Sequence, residues 1–516
     1  MTAVRGQGSP VVQLATGRLR GRQEEGIAVF RGVPYAAPPV AELRWRAARP
    51  HPGWNGTRDA TSYGPSAPQM FTEGGDPVLG GHGSPPFDDD CLTLNVWTPA
   101  PDEARRPVLV WIHGGGFVSG SGSLPVYSGE TFARDGDLVV VTLNYRLGPL
   151  GYLSFDDEEG TPDQPSNLWL TDQLAALRWV HENIDRFGGD PANVTVAGQS
   201  GGAVSTAALA GHPEARQLLR RVILQSPPFG LYAPTRAEYR ERVDAYLRCA
   251  GVADVGELRR LPWERLVGAA GGLFAHTARW GHWPTPFLPV RDGVTLDRHP
   301  AQTLLEDAAA DIDVLIGWTR EEANFAFALD PAYAAATREQ VLGRIALGFG
   351  EAAAPDVYAA YTCSRPGAGP AEVLMDLITD ELFRVPSLRL AEARAELGRP
   401  VWAYQFDFPA PAYGGRLGAA HCLELPFVFD NFERWGHAPL VAGIEPTVGA
   451  GLARSMHQAW IAFARTGDPN HTDLPRWDRY RTGARTTMRF DSVTLPVDDL
   501  AGHARRLHGR RLPARE

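Results

Sequence analysis

The chain contains no lysine, and all 50 of its basic residues are arginines. Chemistry that needs a lysine amine, such as Schiff-base formation, pyridoxal-phosphate attachment or a P-loop, is therefore excluded. The 60 acidic residues give a formal net charge of −10, so no excess of positive charge attracts phosphate backbones or anionic lipid. We expect neither nucleic acid nor a membrane among the partners.

Cysteine is also scarce, with four residues in 516 and no CxxC spacing. This number and spacing fit neither a disulfide scaffold nor a zinc ribbon, so we expect a reducing compartment and no metal site. No run of about 18 apolar residues occurs, and residues 1–12 lack the apolar stretch of a secretory signal. The expected location is cytoplasmic.

Apolar runs alternate with amphipathic helical patterns over most of the chain, which is typical of an α/β fold with a mainly parallel sheet covered on both faces. The strongest predicted strands are 108–112, 138–143, 194–197, 222–224, 313–316 and 401–406. Between 168 and 187, apolar residues at three- and four-residue intervals predict the helix of a βαβ crossover. Three short β-type runs at 11–14, 17–20 and 27–31 predict a small antiparallel sheet at an edge.

No internal repeat and no long Ser/Gly linker divides the chain, so we predict a single domain over residues 1–516. The stretches of about 235–300 and 325–384 hold mostly helical patterns. As insertions above the carboxyl ends of the strands, where α/β proteins bind ligands, they would form the walls and cap of a substrate cavity.

A serine lies where a predicted strand passes directly into a predicted helix. The junction reads Gly198-Gln199-Ser200-Gly201-Gly202, which is the G-x-S-x-G pattern of a nucleophile elbow. Glycines at −2 and +2 are needed there because a Cβ would collide with the neighbouring strand and helix. The pattern also occurs by chance in ordinary loops, so on its own it leaves a structural turn as the alternative.

A second glycine motif follows the strand at 108–112, in the order His113-Gly114-Gly115-Gly116-Phe117. Consecutive glycines let backbone N–H groups approach a reacting oxygen, and hydrolases with a nucleophile elbow take half of their oxyanion hole from such a loop. The alternatives are a plain glycine-rich turn and a phosphate cradle, the latter disfavoured by the absence of G-x-G-x-x-G and of lysine. Together the two motifs predict an oxyanion hole formed by Gly115, Gly116 and Gly201.

These motifs and several others resemble the type-B carboxylesterases, the family of the cholinesterases and of bacterial 4-nitrobenzyl esterases. The further matching segments are FRGVPYA at 30–36, DCLTLNVW at 90–97, NYRLG at 144–148, FGGDP at 187–191 and ILQS at 223–226. The resemblance covers nearly the whole chain and implies an α/β-hydrolase fold. It also implies the acid and the base: Glu322 matches the acid within 317–325, with Glu321 as the nearest rival, and His421 matches the base within 418–427.

The resemblance implies a serine carboxylesterase without a cofactor that hydrolyses small to medium carboxylic esters through an acyl-enzyme on Ser200. Gln199 stands where cholinesterases have a glutamate, which disfavours choline esters. Trp283 and Phe325 resemble residues of the substrate pocket, with a purely structural role as the alternative. Amide or carbamate hydrolysis and acyl transfer use the same triad and stay open. A non-catalytic binding protein is the least expected function, because the serine, acid, base and glycines are all present.

Overall fold

The computed structural model describes residues 9–70, 76–81, 86–155 and 166–509. The strands in these residues are β1 (Val11–Leu14), β2 (Gly17–Arg20), β3 (Arg22–Glu24), β4 (Ile27–Pro34), β5 (Thr57–Asp59), β6 (Thr93–Thr98), β7 (Arg106–Ile112), β8 (Val139–Leu143), β9 (Gly189–Gln199), β10 (Arg221–Gln225), β11 (Asp313–Thr319), β12 (Val401–Phe406), β13 (Thr486–Phe490) and β14 (Leu495–Asp498). Most of them are rich in β-branched and aromatic residues, which suit a pleated and buried sheet.

Eleven of the described strands form one twisted sheet in the order β14-β13-β12-β11-β10-β9-β7-β8-β6-β4-β3. The neighbours from β13 to β8 pair in parallel, whereas β14, β6, β4 and β3 pair antiparallel at the two edges. A separate small sheet has the order β1-β2-β5. The parallel centre aligns the carboxyl ends of β7, β9, β11 and β12 at one edge of the sheet, where α/β proteins place their sites.

Helices pack on both faces of the large sheet. They are α1 (Glu130–Gly136), α2 (Gly148–Tyr152), α3 (Leu168–Asn183), α4 (Gly201–Gly211), α5 (Arg236–Ala250), α6 (Val255–Arg259), α7 (Trp263–Thr277), α8 (Pro300–Thr303), α9 (Asn324–Phe327), α10 (Pro331–Ala334), α11 (Arg338–Phe349), α12 (Ala354–Ser364), α13 (Pro370–Thr379), α14 (Val385–Glu396), α15 (Leu425–Phe429), α16 (Pro446–Thr466) and α17 (Gly502–His508). A π-helical turn, Asp380–Arg384, joins α13 to α14.

The core is divided by the sheet into two layers. Along β7, Val108, Val110 and Ile112 belong to the apolar cluster on one face, and Leu109 and Trp111 belong to the cluster on the other. This alternation follows from the two-residue period of a strand, and both faces are apolar because helices cover both. The sheet is therefore a rigid base for the loops at its edge.

The predicted α/β-hydrolase fold is confirmed, and all six principal predicted strands are present. The prediction that residues 27–31 pair with 11–14 and 17–20 is wrong. Only β1 and β2 pair antiparallel in the small sheet, and β4 pairs with β3 and β6 in the large one. Residues 27–30 of β4 are all buried, which suits a strand covered on both faces, whereas exposed and buried residues alternate along β1. The sequence patterns also missed β3, β5, β6, β13 and β14.

The two stretches predicted as insertions contain α5 to α7 and α9 to α13, respectively, and the second has an apolar cluster of its own that includes Val341, Leu374 and Ile378. In the described parts of the chain, no helix combines the length and the apolar character needed to cross a bilayer. Of the amino-terminal segment discussed above, residues 1–8 lie outside the described residues.

Candidate active site

Ser200 lies at the sharp junction between β9 and α4, with φ 57° and ψ −125°. A Cβ added to Gly198 would lie 2.4 Å from the carbonyl oxygen of Gly202, and one added to Gly202 would lie 2.1 Å from that of Ile112 on β7. Neither backbone oxygen can give way, so the predicted need for both glycines is confirmed. The turn raises the serine above the sheet edge, and the amino terminus of α4 begins directly beside it.

The glycine loop after β7 lies against this turn. A Cβ on Gly114 would lie 3.0 Å from the Cβ of Ser200. Gly115 and Gly116 have φ values of +114° and +60°, a backbone conformation that side chains disfavour. Within the described residues, the backbone N–H groups of Gly115, Gly116 and Gly201 donate to no other protein group. They are therefore free to bind an anionic oxygen beside Ser200.

Glu322 and His421 are in direct contact, with Glu322 Oε2 at 2.5 Å from His421 Nδ1. The other carboxylate oxygen accepts a hydrogen bond of 2.7 Å from the backbone N–H of Thr319 at the end of β11. Glu322 is fully buried and His421 is nearly so. With both carboxylate oxygens bonded, Glu322 fixes the imidazole ring and holds its Nδ1 as a donor.

The loops that carry the acid and the base are joined by backbone and side-chain hydrogen bonds. The N–H of Glu321 donates to the carbonyl of Ala419 at 3.0 Å, and the N–H of Ala419 donates to Glu321 Oε2 at 2.8 Å. The other oxygen of Glu321 accepts from the guanidinium of Arg320 at 2.6 Å. Glu321, the rival for the acid, thus ties the two loops together, while Glu322 faces the imidazole.

Charges around the imidazole favour its protonated form. Burial disfavours the imidazolium, but the Glu322 carboxylate and its contact with Nδ1 favour it more strongly, so the pKa of His421 is raised above its ordinary value. Burial raises the pKa of the Cys422 thiol and raises that of Glu424 to about 7. Glu424 Oε1 accepts from the side chain of Gln225 at 3.2 Å.

Ser200 and His421 form no hydrogen bond with each other in the structure. No hydrogen bond is formed by the Ser200 hydroxyl to any of the described residues. Instead, Nε2 of His421 lies 3.1 Å from the side-chain nitrogen of Gln199, which also lies 3.4 Å from the sulfur of Cys422. Gln199, predicted as a pocket residue, therefore contacts the imidazole of His421, the predicted base.

Aromatic rings enclose the imidazole on its open side. The ring centroids of Trp283 and Phe325 each lie 5.8 Å from that of His421, so both predicted aromatic residues lie at the site. A third ring, Phe383 in the π-helical turn, lies 5.1 Å from His421 and 5.4 Å from Trp283. Phe383 is not predictable from the sequence, because a π-helical turn has no periodicity that separates it from the helices on either side.

This arrangement offers a base with a fixed tautomer, a serine in a strained turn and three free N–H donors, all near the amino terminus of a helix. Such groups can activate a hydroxyl for attack on a carbonyl and bind the oxyanion that results. Across the described ranges, His, Cys, Asp and Glu side chains form no group of three suited to holding a metal ion. All four cysteines are free.

The sequence matches the model of the carboxylesterase family over residues 8–502. It is 53% identical over 473 residues to phenmedipham hydrolase of Pseudarthrobacter oxydans, which covers 92% of this chain and 93% of the relative. It is 35% identical to para-nitrobenzyl esterase of Bacillus subtilis, over 95% of this chain and 96% of that protein. Among solved structures, a carboxylesterase of Geobacillus stearothermophilus superposes with a TM-score of 0.86 at 38% identity, covering 97% of this chain and 100% of that one.

Proposed function

The chain belongs to the carboxylesterase family and is a carboxylic ester hydrolase, and from this premise we propose that it cleaves small to medium carboxylic esters through an acyl-enzyme on Ser200. In the proposed acylation, His421 Nε2 takes the hydroxyl proton of Ser200 as its oxygen bonds to the substrate carbonyl carbon. Glu322 holds the ring and stabilises the imidazolium. The N–H groups of Gly115, Gly116 and Gly201 bind the oxyanion, each such donor being worth about 3 kcal/mol in the transition state.

Collapse of the tetrahedral intermediate breaks the bond to the leaving alcohol, which receives the proton from His421. A water then gives its proton to His421 and attacks the acyl carbon, and the carboxylic acid leaves as Ser200 regains its proton. The reaction consumes one water and needs no cofactor. The contact between Glu322 Oε2 and His421 Nδ1 is the observation that carries this proposal, because it sets the tautomer that a base for Ser200 requires.

Aromatic carbamates are the second candidate substrates. The relative that is 53% identical is named phenmedipham hydrolase, a carbamate hydrolase, and the rings of Trp283, Phe325 and Phe383 around His421 suit an aryl group. A carbamate carbonyl enters the same acylation step, with a carbamoyl group in place of the acyl group. Ester and carbamate hydrolysis therefore differ here only in two respects: how well the pocket accommodates the acyl or carbamoyl group, and how fast water releases that group from Ser200.

The test is turnover of 4-nitrophenyl butyrate and of phenmedipham by the parent, Ser200→Ala and Ser205→Ala. Ser205 is a buried serine on the same helix and serves as the matched control, because it lies outside the proposed relay. We expect Ser200→Ala to lose at least about 10⁴-fold on both substrates and to escape labelling by an organophosphate, while Ser205→Ala stays within tenfold of the parent. Parental turnover by Ser200→Ala would reject the proposal.

A further inference from the structure

The side chain of Gln199 occupies the space between the nucleophile turn and the base. It is 1% exposed, and its Oε1 packs against Gly114, where an added Cβ would lie 2.7 Å from it. Its nitrogen points the other way, 3.1 Å from His421 Nε2 and 3.4 Å from Cys422 Sγ. The amide is thus held on both sides, with its donor end towards the base.

The tautomer of His421 determines which atom donates the hydrogen bond in the contact between Gln199 and His421 Nε2. Nδ1 faces a carboxylate oxygen of Glu322 at 2.5 Å, so in the neutral ring Nδ1 carries the proton and Nε2 carries the lone pair. An amide N–H can donate to that lone pair, and Gln199 has two N–H groups, one for His421 and one for the sulfur of Cys422. The hydroxyl of Ser200 needs the same lone pair to become a nucleophile.

Resting on the function proposed above, we infer that the Gln199 amide occupies the Nε2 lone pair of His421 in the resting enzyme and so competes with the Ser200 hydroxyl for the base. Gln199 is then a positioning residue that controls when the relay closes. A substrate bound at the oxyanion N–H groups draws Ser200 towards the substrate carbonyl. This shifts the competition for the Nε2 lone pair in favour of the Ser200 hydroxyl. This role needs a neutral amide, because an ionised glutamate at position 199 could only accept a hydrogen bond.

Two consequences distinguish this role from simple packing. An N–H donor at Nε2 stabilises the neutral imidazole and opposes the imidazolium, so Gln199 lowers the pKa of the base relative to the same site without the amide. When His421 takes the serine proton, Nε2 becomes a donor, and the amide has to rotate and present Oε1 instead. Both effects disappear when the amide is removed without a change in volume.

Within the part of the chain that the structure describes, the other titratable groups that face the imidazole are Glu322, Cys422 and Glu424, which come from the loop after β11 and from the loop that carries His421. The aromatic rings of Trp283, Phe325 and Phe383 also pack against the imidazole. The carboxylates favour the imidazolium, and the amide acts against them. Because Gln199→Met leaves all of these groups in place and adds no charge, a change in its pH profile reports on the amide.

The experiment compares the pH dependence of kcat/KM for 4-nitrophenyl butyrate in the parent, Gln199→Met and Gln199→Glu. Removing the donor in Gln199→Met should raise the kinetic pKa by roughly half a unit to one unit. On the alkaline plateau its rate of inactivation by an organophosphate should rise about two- to tenfold, because the lone pair is released to Ser200. Gln199→Glu should raise the kinetic pKa further, by about one to three units, since a carboxylate favours the imidazolium.

Gln173→Met is the matched control, since Gln173 is an equally buried glutamine that donates to Ser205 at 3.2 Å and does not contact His421. Its kinetic pKa should equal that of the parent. A Gln199→Met profile and inactivation rate that superpose on the parent's would overturn the inference while leaving Ser200 as nucleophile. A parent that neither hydrolyses the ester nor reacts with the organophosphate would instead reject the proposed function. If Gln199→Met does not fold, the kinetic pKa of Gln199→Glu is the deciding measurement. The inference is refuted if that kinetic pKa is not raised above the parent's.

Discussion

Replacing Glu322 by glutamine tests how the imidazole of His421 is held. The backbone N–H of Thr319 donates to Glu322 Oε1 at 2.7 Å, and the glutamine carbonyl oxygen can keep this bond. The amide nitrogen then replaces Oε2, which lies 2.5 Å from Nδ1. Two N–H donors cannot face each other, so the ring proton moves to Nε2, where it blocks the transfer from Ser200.

The expected loss follows from this change of tautomer. With the wrong nitrogen protonated, kcat/KM should fall about 10⁴-fold, equivalent to about 5 kcal/mol of transition-state stabilisation. Initial rates with 4-nitrophenyl butyrate between pH 6 and 9 measure the loss, and thermal unfolding checks that the variant is folded. The loss should persist across this range, since a higher pH does not restore the tautomer.

Glu321→Gln is the control, because Glu321 bonds to Ala419 and Arg320 and does not contact the imidazole. A glutamine there can still accept from the Ala419 N–H, so this variant should remain within tenfold of the parent. If Glu322→Gln also remained within tenfold, or if Glu321→Gln lost more than Glu322→Gln, the assignment of the acid would be refuted.

Three further outcomes are expected. Gly202→Ala places a Cβ 2.1 Å from the Ile112 carbonyl oxygen and should lower the free energy of unfolding by about 3 kcal/mol or more. Urea titration measures this loss, and an unchanged midpoint of unfolding would contradict the clash. Phe383→Ala should reduce kcat/KM about tenfold more for 4-nitrophenyl benzoate than for the acetate, because an aryl contact is lost; equal losses would place the aryl group elsewhere. The pKa of His421 is raised, and an imidazole acts as a base only when neutral, so kcat/KM should fall with decreasing pH through a pKa above 6.5. A value of kcat/KM that stays constant from pH 9 to pH 6 would contradict this.

Much of the fold is predictable because the parallel strands are buried on both faces and read as continuous apolar runs. The elbow at Ser200 is predictable for a different reason: the glycines at 198 and 202 are required by backbone oxygens 2.4 and 2.1 Å from an added Cβ. The pairing of Glu322 with His421 was implied by resemblance alone, since 99 residues separate them and no local pattern connects them.

Other features depend on tertiary contacts that no local pattern encodes. The partner of β4 was assigned wrongly because runs of similar composition pair according to burial, which is a property of the whole sheet. Phe383 reaches the site because five residues, Asp380–Arg384, form a π-helical turn within an otherwise α-helical segment. The orientation of the Gln199 amide towards His421 depends on Gly114 and Cys422, which are distant in sequence.

Ser200 adopts a positive φ of 57°, and two further non-glycine residues near it, Ser226 and Cys422, have φ values of 48° and 75°. Each such residue costs about 1 to 2 kcal/mol relative to ordinary backbone geometry. Glycine at position 200 would relieve that cost and remove the proposed nucleophile at once. Selecting variants of this chain for thermostability alone should therefore favour inactive variants. A screen for thermostable variants has to include ester turnover as a criterion.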